Sequence, residues 1–145
     1  MTADLVPDGF ERHYKTSKFT DPWEPLYSRI EADQVRIGTV LAEAHCNSRG
    51  LVHGAFLAAI LDNALGLSIS VVLDTKGHPS AGLVTTSLTI DYLGRASVGT
   101  WIATDCTVVK TGRTLSVASG LITSVGGPVA RANATFQSIS TESTS

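Results

Sequence analysis

The alternation of hydrophobic and polar residues divides the chain into one long helix and several strands. Residues 33–45 alternate well enough to predict a first strand, and residues 51–73 are apolar almost throughout, which predicts a helix. Further strands are predicted after the helix, at 83–92, 101–109, 114–124 and 129–139. This order predicts an α+β fold, in which a curved antiparallel sheet of about five or six strands wraps around one long central apolar helix.

The predicted helix is unusual because Asp62 is its only formally charged residue. Its length would suit a membrane span, but an aspartate at mid-bilayer costs about 2.5–3.5 kcal/mol, and the flanking strands belong to a soluble sheet. We therefore expect a buried helix and no membrane. A helix that is apolar on every side needs more cover than one sheet supplies, so we expect a homodimer, and dimers that pair into a homotetramer.

The two ends of the chain differ in composition from the segment between them. Residues 1–32 mix charges, prolines and aromatics, which predicts an arm with short helical turns before a single domain at 33–140. The polar residues 141–145 are expected to fray. The first ten residues carry no apolar run, so a cytoplasmic location is expected.

Charge and metal-ligand content exclude two classes of function. The net charge is -2 with no basic block, so electrostatic binding of nucleic acid is not expected. The four histidines and two cysteines show no metal-ligand spacing, so we expect no metal and no cofactor.

Two features of the helix could carry chemistry. Asp62, alone in an apolar helix, is either a general base or nucleophile, or a structural carboxylate held by hydrogen bonds. At the helix start, free N–H groups and the small Gly54 could receive a ligand carbonyl as an oxyanion site does. The alternative there is an ordinary junction, in which His53 caps the helix or packs against it.

Helical geometry separates these features within one chain. His53 and Asp62 are nine residues apart, which places them half a turn out of phase and roughly 13 Å apart along the axis. If both features act at one site, that site must combine the helix start of one subunit with Asp62 of its partner.

Several motifs together resemble a known family. They are Asn-x-x-Gly-x-x-His-Gly at 47–54, Asp62 in the apolar helix, Ile-x-Tyr at 90–92 and Lys-x-Gly-Arg-Thr at 110–114. Over residues 35–137 the chain resembles the hotdog-fold acyl-CoA thioesterases of the phenylacetyl-CoA-thioesterase-like (PaaI-like) branch. The resemblance implies a hotdog fold and hydrolysis of an acyl-CoA, with coenzyme A bound only as part of the substrate.

The resemblance also implies residue roles. Asp62 matches the catalytic acidic residue, the Gly54 N–H matches the donor that polarises the thioester carbonyl, and Asn47 matches an orienting side chain. Thr85 falls where the family places a hydroxyl near the water; strict alternation puts it on the opposite face of its strand from Tyr92. The residues implied to bind substrate or coenzyme A are His53, Ala55, Tyr92, Leu93, Arg95, Lys110, Gly112, Arg113 and Thr114.

One residue departs from the family pattern, and two other functions remain as alternatives to hydrolysis. Ala55 stands where the family usually has a second glycine, and its methyl group bears on which acyl group fits. A non-catalytic acyl-CoA-binding protein, a sensor or carrier, is the first alternative, and retention of Asp62 counts against it. A hotdog hydratase or dehydratase is the second, and the layout of His53 and Asp62 follows the thioesterases instead.

Overall fold

One long helix lies against a seven-stranded antiparallel sheet in the computed structural model, which describes residues 2–139. The helix α1 spans Gly54–Thr75. The strands are β1 (Glu11–Arg12), β2 (Tyr27–Ile30), β3 (Val35–Val40), β4 (Leu83–Tyr92), β5 (Trp101–Lys110), β6 (Leu115–Ser124) and β7 (Gly127–Ser138). Their order across the sheet is β1-β2-β3-β5-β6-β7-β4, which leaves β4 at one edge. The predicted α+β architecture is confirmed.

The N-terminal segment, predicted as an arm with short helical turns, also adds two strands to the sheet. It contains short 3₁₀ helices at Thr2–Leu5 and Asp21–Trp23, but it also supplies β1 and β2, and β2 pairs with β3 along all four of its residues. The sheet therefore has seven strands rather than five or six. The strand predicted at 33–45 is β3, which is shorter than predicted because a 3₁₀ turn occupies Glu43–His45. The predicted tail, 141–145, lies outside the described residues.

Both ends of α1 follow from local chemistry. His53 precedes the helix in an extended conformation, and its Nδ1 accepts a hydrogen bond from the Ala55 N–H at 3.0 Å. At the other end Gly77 has a φ of 76°, its N–H donates to the Asp74 carbonyl, and the next N–H donates to the Leu73 carbonyl. This glycine-terminated ending satisfies carbonyls that the helix itself leaves free.

The core lies between one face of α1 and the concave face of the sheet. The helix contributes buried residues to it along its whole length: Phe56, Leu57, Ile60, Leu61, Ala64, Leu65, Ser68, Ile69 and Leu73. A second stripe of α1 is only half-buried, and it contains Ala58, Asp62, Asn63, Gly66, Leu67, Ser70 and Val71. By length and composition α1 could cross a membrane, and 50% of its most apolar window is buried inside the protein.

A β-bulge interrupts the edge strand β4. Thr85 pairs with Phe136 and Ser87 pairs with Thr135, so Thr86 is an extra residue opposite one step of β7. The extra residue reverses the alternation of faces on its two sides. Thr85 consequently shares the helix-facing side of the sheet with Leu88, which packs against the core. The prediction that Thr85 and Tyr92 lie on opposite faces was therefore wrong.

Candidate active site

A carboxylate and a hydroxyl group meet near the middle of α1. Thr85 Oγ1 on β4 donates a hydrogen bond to Asp62 Oδ1 at 2.6 Å, which is short and typical of a bond to a charged acceptor. Asp62 is half-buried and Thr85 is exposed. Asp62 forms no second side-chain hydrogen bond within residues 2–139, so its Oδ2 and the lone pairs of the Thr85 oxygen are open to accept from one water molecule.

The start of α1 is held by Tyr92. The Tyr92 hydroxyl group donates to the Gly54 carbonyl at 2.9 Å, and a Cβ atom added to Gly54 would lie 3.0 Å from Tyr92 Cζ. A glycine therefore lets the ring lie against the helix start. Across the described part of the chain the Gly54 N–H has no acceptor. It is a free donor at the positive end of a helix dipole.

His53 takes the capping role that the sequence left open. Its Nδ1 accepts from the Ala55 N–H, so the neutral ring carries its proton on Nε2. The Ala55 N–H is thereby occupied, which leaves the Gly54 N–H as the donor that can meet a ligand. The side chains of His53 and Ala55 are both exposed at this end of the helix.

Asn47 shapes the loop that leads into the helix. Its Oδ1 accepts from the N–H groups of Arg49 at 2.9 Å and Leu51 at 3.2 Å, and Gly50 supplies the positive φ of 72° that the turn needs. The carbonyl end of the side chain is thus occupied by the loop itself. Its Nδ2 group, which makes no hydrogen bond inside the described ranges, is the end left for a ligand.

A buried histidine beneath the helix start escaped the sequence analysis. His45 Nδ1 accepts from the Ala42 N–H at 2.9 Å, its Nε2 donates to the Trp23 carbonyl at 2.7 Å, and its ring stacks on Phe56. Its backbone carbonyl accepts from the His53 N–H. Burial lowers the pKa of His45, which is consistent with a neutral ring that uses both nitrogens. No sequence spacing signals these contacts, because the partners come from separate segments.

The residues implied to bind coenzyme A lie near the two opposite ends of the strand β4. Tyr92 ends β4, and Leu93 and Arg95 follow it, whereas the turn at 110–114 lies near the beginning of β4, where Ser138 pairs with Leu83 and donates to the Thr114 carbonyl. The strand β4 between them is about 30 Å long. One chain therefore does not bring Arg95 together with Lys110, Gly112, Arg113 and Thr114.

Each of these ends carries an open cleft. Arg95 lines one of about 220 Å³ together with Ser97 and Ser124. Lys110 lines another of about 260 Å³ with Lys76, whose Nζ donates to Thr111 Oγ1. Both clefts pair cationic side chains with hydroxyl groups, a chemistry that suits phosphate.

Asp62 and the Gly54 N–H are also separated within the chain. They are eight residues apart on one straight helix, about 12 Å along the axis and about 80° around it.

No group of three or more His, Cys, Asp or Glu side chains within residues 2–139 is arranged so that it could hold a metal ion.

Comparison with known proteins places this chain in a family. The family model described as "Thioesterase superfamily" matches residues 49–130, which is more than half of the chain. A curated Pseudomonas aeruginosa protein named "Putative esterase PA0474" is 31% identical over 132 residues, covering 90% of this chain and 96% of that protein.

Solved structures show the same fold. A hypothetical thioesterase protein with coenzyme A from Streptococcus pneumoniae TIGR4 superposes with a TM-score of 0.71 at 23% identity, covering 81% of this chain and 88% of the other. The PaaI protein of the phenylacetic acid degradation operon of E. coli superposes with a TM-score of 0.68 at 16% identity, covering 79% of each chain. These likenesses confirm the hotdog fold and the resemblance on which the sequence analysis relied.

Proposed function

Because the chain belongs to the thioesterase superfamily, we propose that it hydrolyses an acyl-CoA thioester to a free acid and coenzyme A, with no further cofactor. The observation that carries this proposal is the 2.6 Å bond from Thr85 Oγ1 to Asp62 Oδ1, next to a carboxylate oxygen that is free to take a proton. The similar fold of the hypothetical thioesterase protein with coenzyme A supports the choice of thioester.

The chemistry assigned to Asp62 is general base catalysis. One water molecule can donate to Asp62 Oδ2 and to the Thr85 oxygen, which turns a lone pair of the water toward the thioester carbonyl. As the water attacks, its proton moves to Asp62. The carbon–sulfur bond then breaks, and the coenzyme A thiolate leaves and takes the proton held by Asp62, which restores the carboxylate. Direct attack by the carboxylate is the alternative, and the two acceptors shared by one water favour the base.

The negative charge on the carbonyl oxygen requires a donor that Asp62's own helix start does not place nearby. We assign this role to Gly54 of the partner subunit. An exposed edge strand of ten residues is a template for pairing with another strand, and β4 is such an edge. Two copies of β4 that pair antiparallel about a two-fold axis would also bring together the half-buried stripes of two α1 helices.

This pairing assembles the proposed site. With the two-fold axis at Thr89, which pairs this residue with its own copy, the extra residue Thr86 would bring Thr85 opposite Tyr92 of the partner subunit. Within each chain, Thr85 is hydrogen-bonded to Asp62, and Tyr92 is hydrogen-bonded to the Gly54 carbonyl. Asp62 therefore comes beside the free N–H of Gly54 of the partner subunit.

The same axis joins the two cationic ends of the sheet. It places the turn at 110–114 of one subunit beside Arg95 of the partner subunit. Lys110, Arg113 and that arginine would then face the phosphates of one coenzyme A, which cationic side chains bind well. The acyl group would lie over the half-buried stripe that carries Asp62.

Thiol release from a panel of aryl- and alkyl-CoA thioesters tests the activity. We expect Asp62→Asn to lower kcat at least 100-fold while coenzyme A binding persists, since removing the base leaves the binding groups in place. Asp74→Asn, which removes an exposed carboxylate from the end of the same helix, is the matched control and should keep wild-type kcat. Binding of acyl-CoA without any cleavage by the wild type would refute the enzyme and favour a carrier or sensor.

Subunit complementation tests the shared site. Asp62→Ala and Gly54→Val should each be inactive as pure proteins. After co-refolding of equal amounts, half of the dimers are mixed and each mixed dimer has one intact site, so about a quarter of wild-type activity should return. A site contained within one chain would recover nothing.

A further inference from the structure

The β-bulge in the edge strand controls which side chain meets Asp62. Two threonines, Thr85 and Thr86, lie at the bulge, and in a regular ladder only one could face the helix. If Leu88 keeps its place in the core and no residue is extra, alternation turns Thr86 toward the helix and Thr85 away from it. The observed bulge selects Thr85 instead.

A hydrogen bond from its side chain to β7 holds Thr86, the extra residue of the bulge, in place. Thr86 Oγ1 donates to the Thr135 carbonyl on β7 at 3.0 Å, across the step of the ladder that the bulge interrupts. Bulges leave backbone groups unpaired, and a side chain that binds one of them stabilises the bulged form against the regular one. The Thr86 hydroxyl group therefore holds the strand in the form that aims Thr85 at Asp62.

We propose that Thr86 is a positioning residue of the active site, which acts through Thr85 by fixing the β4 bulge. It touches neither Asp62 nor the water, and it sets the direction of the hydroxyl group that does. This inference rests on the proposed function, because it concerns the same Asp62–Thr85 pair. It adds a residue that motif comparison does not single out, since its effect depends on register and not on chemistry at the site.

The kinetic test compares Thr86→Val, which keeps the β-branched shape but lacks the hydroxyl group, with Thr86→Ser, which restores it. We expect Thr86→Val to lower kcat about three- to tenfold with KM unchanged, and Thr86→Ser to recover most of the loss. Thr123→Val is the matched control, because Thr123 lies on β6, which β7 separates from the β4 edge, and makes no side-chain hydrogen bond in the described part of the chain.

A double-mutant cycle separates positioning from general destabilisation. If Thr86 acts through Thr85, then Thr86→Val lowers kcat no further in a Thr85→Val background. Additive losses, a rise in KM, or a Thr86→Val enzyme with wild-type kcat would overturn the proposal.

A readout besides turnover keeps this inference distinct from the proposed function. The Thr85 methyl resonance in a ¹H–¹³C spectrum should shift in Thr86→Val and stay in place in Thr123→Val. If the wild type cleaves no thioester, the proposed function fails, and the inference that Thr86 aims Thr85 still stands or falls on that shift. If the wild type is active and neither kcat nor the methyl resonance responds, only the inference fails.

Discussion

Replacement of Gly54 by alanine should separate activity from stability. The added methyl carbon would lie 3.0 Å from Tyr92 Cζ, 3.1 Å from Cε1 and 3.2 Å from Oη, so the ring must move by a few tenths of an ångström. That movement weakens the 2.9 Å bond from the Tyr92 hydroxyl group to the Gly54 carbonyl, which costs about 1 kcal/mol. Alanine returns up to about 1 kcal/mol because it suits a helix better than glycine does.

These two contributions nearly cancel, so the melting temperature should stay within about 5 °C of the wild type. Alanine keeps the N–H, but its methyl group stands beside the place where the thioester carbonyl must approach, so we expect kcat to fall toward the roughly 100-fold that loss of one oxyanion donor costs. Thiol release and thermal unfolding of Gly54→Ala measure both, with Gly82→Ala as the control, whose new Cβ would meet only Ile139 Cδ1 at an ordinary 3.4 Å. A Gly54→Ala enzyme with wild-type kcat, or one whose lost activity follows a large loss of stability, would refute the assignment.

Three other predictions concern Tyr92, His45 and the two cysteines. Tyr92→Phe removes only the bond to the Gly54 carbonyl, so kcat should fall about two- to tenfold, and an unchanged rate would contradict the positioning role. Burial lowers the pKa of His45 below its usual 6.5, so stability should be lost as the pH falls below 6.5 and be independent of this group above it; urea unfolding between about pH 5 and 8 should show this slope, reduced in His45→Gln. Burial raises the pKa of the Cys106 thiol to about 11, so a thiol-reactive dye should modify the half-buried Cys46 first, and Cys106 only on unfolding.

Periodicity was enough to predict the helix and the C-terminal strands. The apolar run at 51–73 predicts α1 to within three residues at its start and two at its end, and alternation predicts β4 at its observed bounds. The segment before residue 33 resisted the same reasoning. Its strands are two and four residues long, too short for a period of two to emerge among prolines and aromatics.

The direction of Thr85 shows why part of the site could not be predicted. The resemblance singled out Thr85 by position, but alternation assigned it to the wrong face because a bulge inserts a residue without a compositional signal. Thr, Thr and Ser at 85–87 suit a regular ladder equally well. The hydrogen bonds to Asp62 and to Thr135 distinguish the two forms, and both depend on segments distant in sequence. His45 escaped for the same reason.

The placement of Asp62 links the proposed chemistry to assembly. A half-buried carboxylate on a mostly apolar stripe is costly unless a hydrogen bond or charge compensates it, and in one chain a single hydroxyl group does so. Pairing of two β4 edges would cover the apolar neighbours of Asp62, and it would also bring up a helix N-terminus, whose partial positive charge stabilises a nearby carboxylate. Burial makes the Asp62 carboxylate energetically costly in an isolated chain, and the helix N-terminus of a partner subunit would offset that cost. The same contact would complete the catalytic pair, so the proposed dimer and the proposed active site depend on one surface.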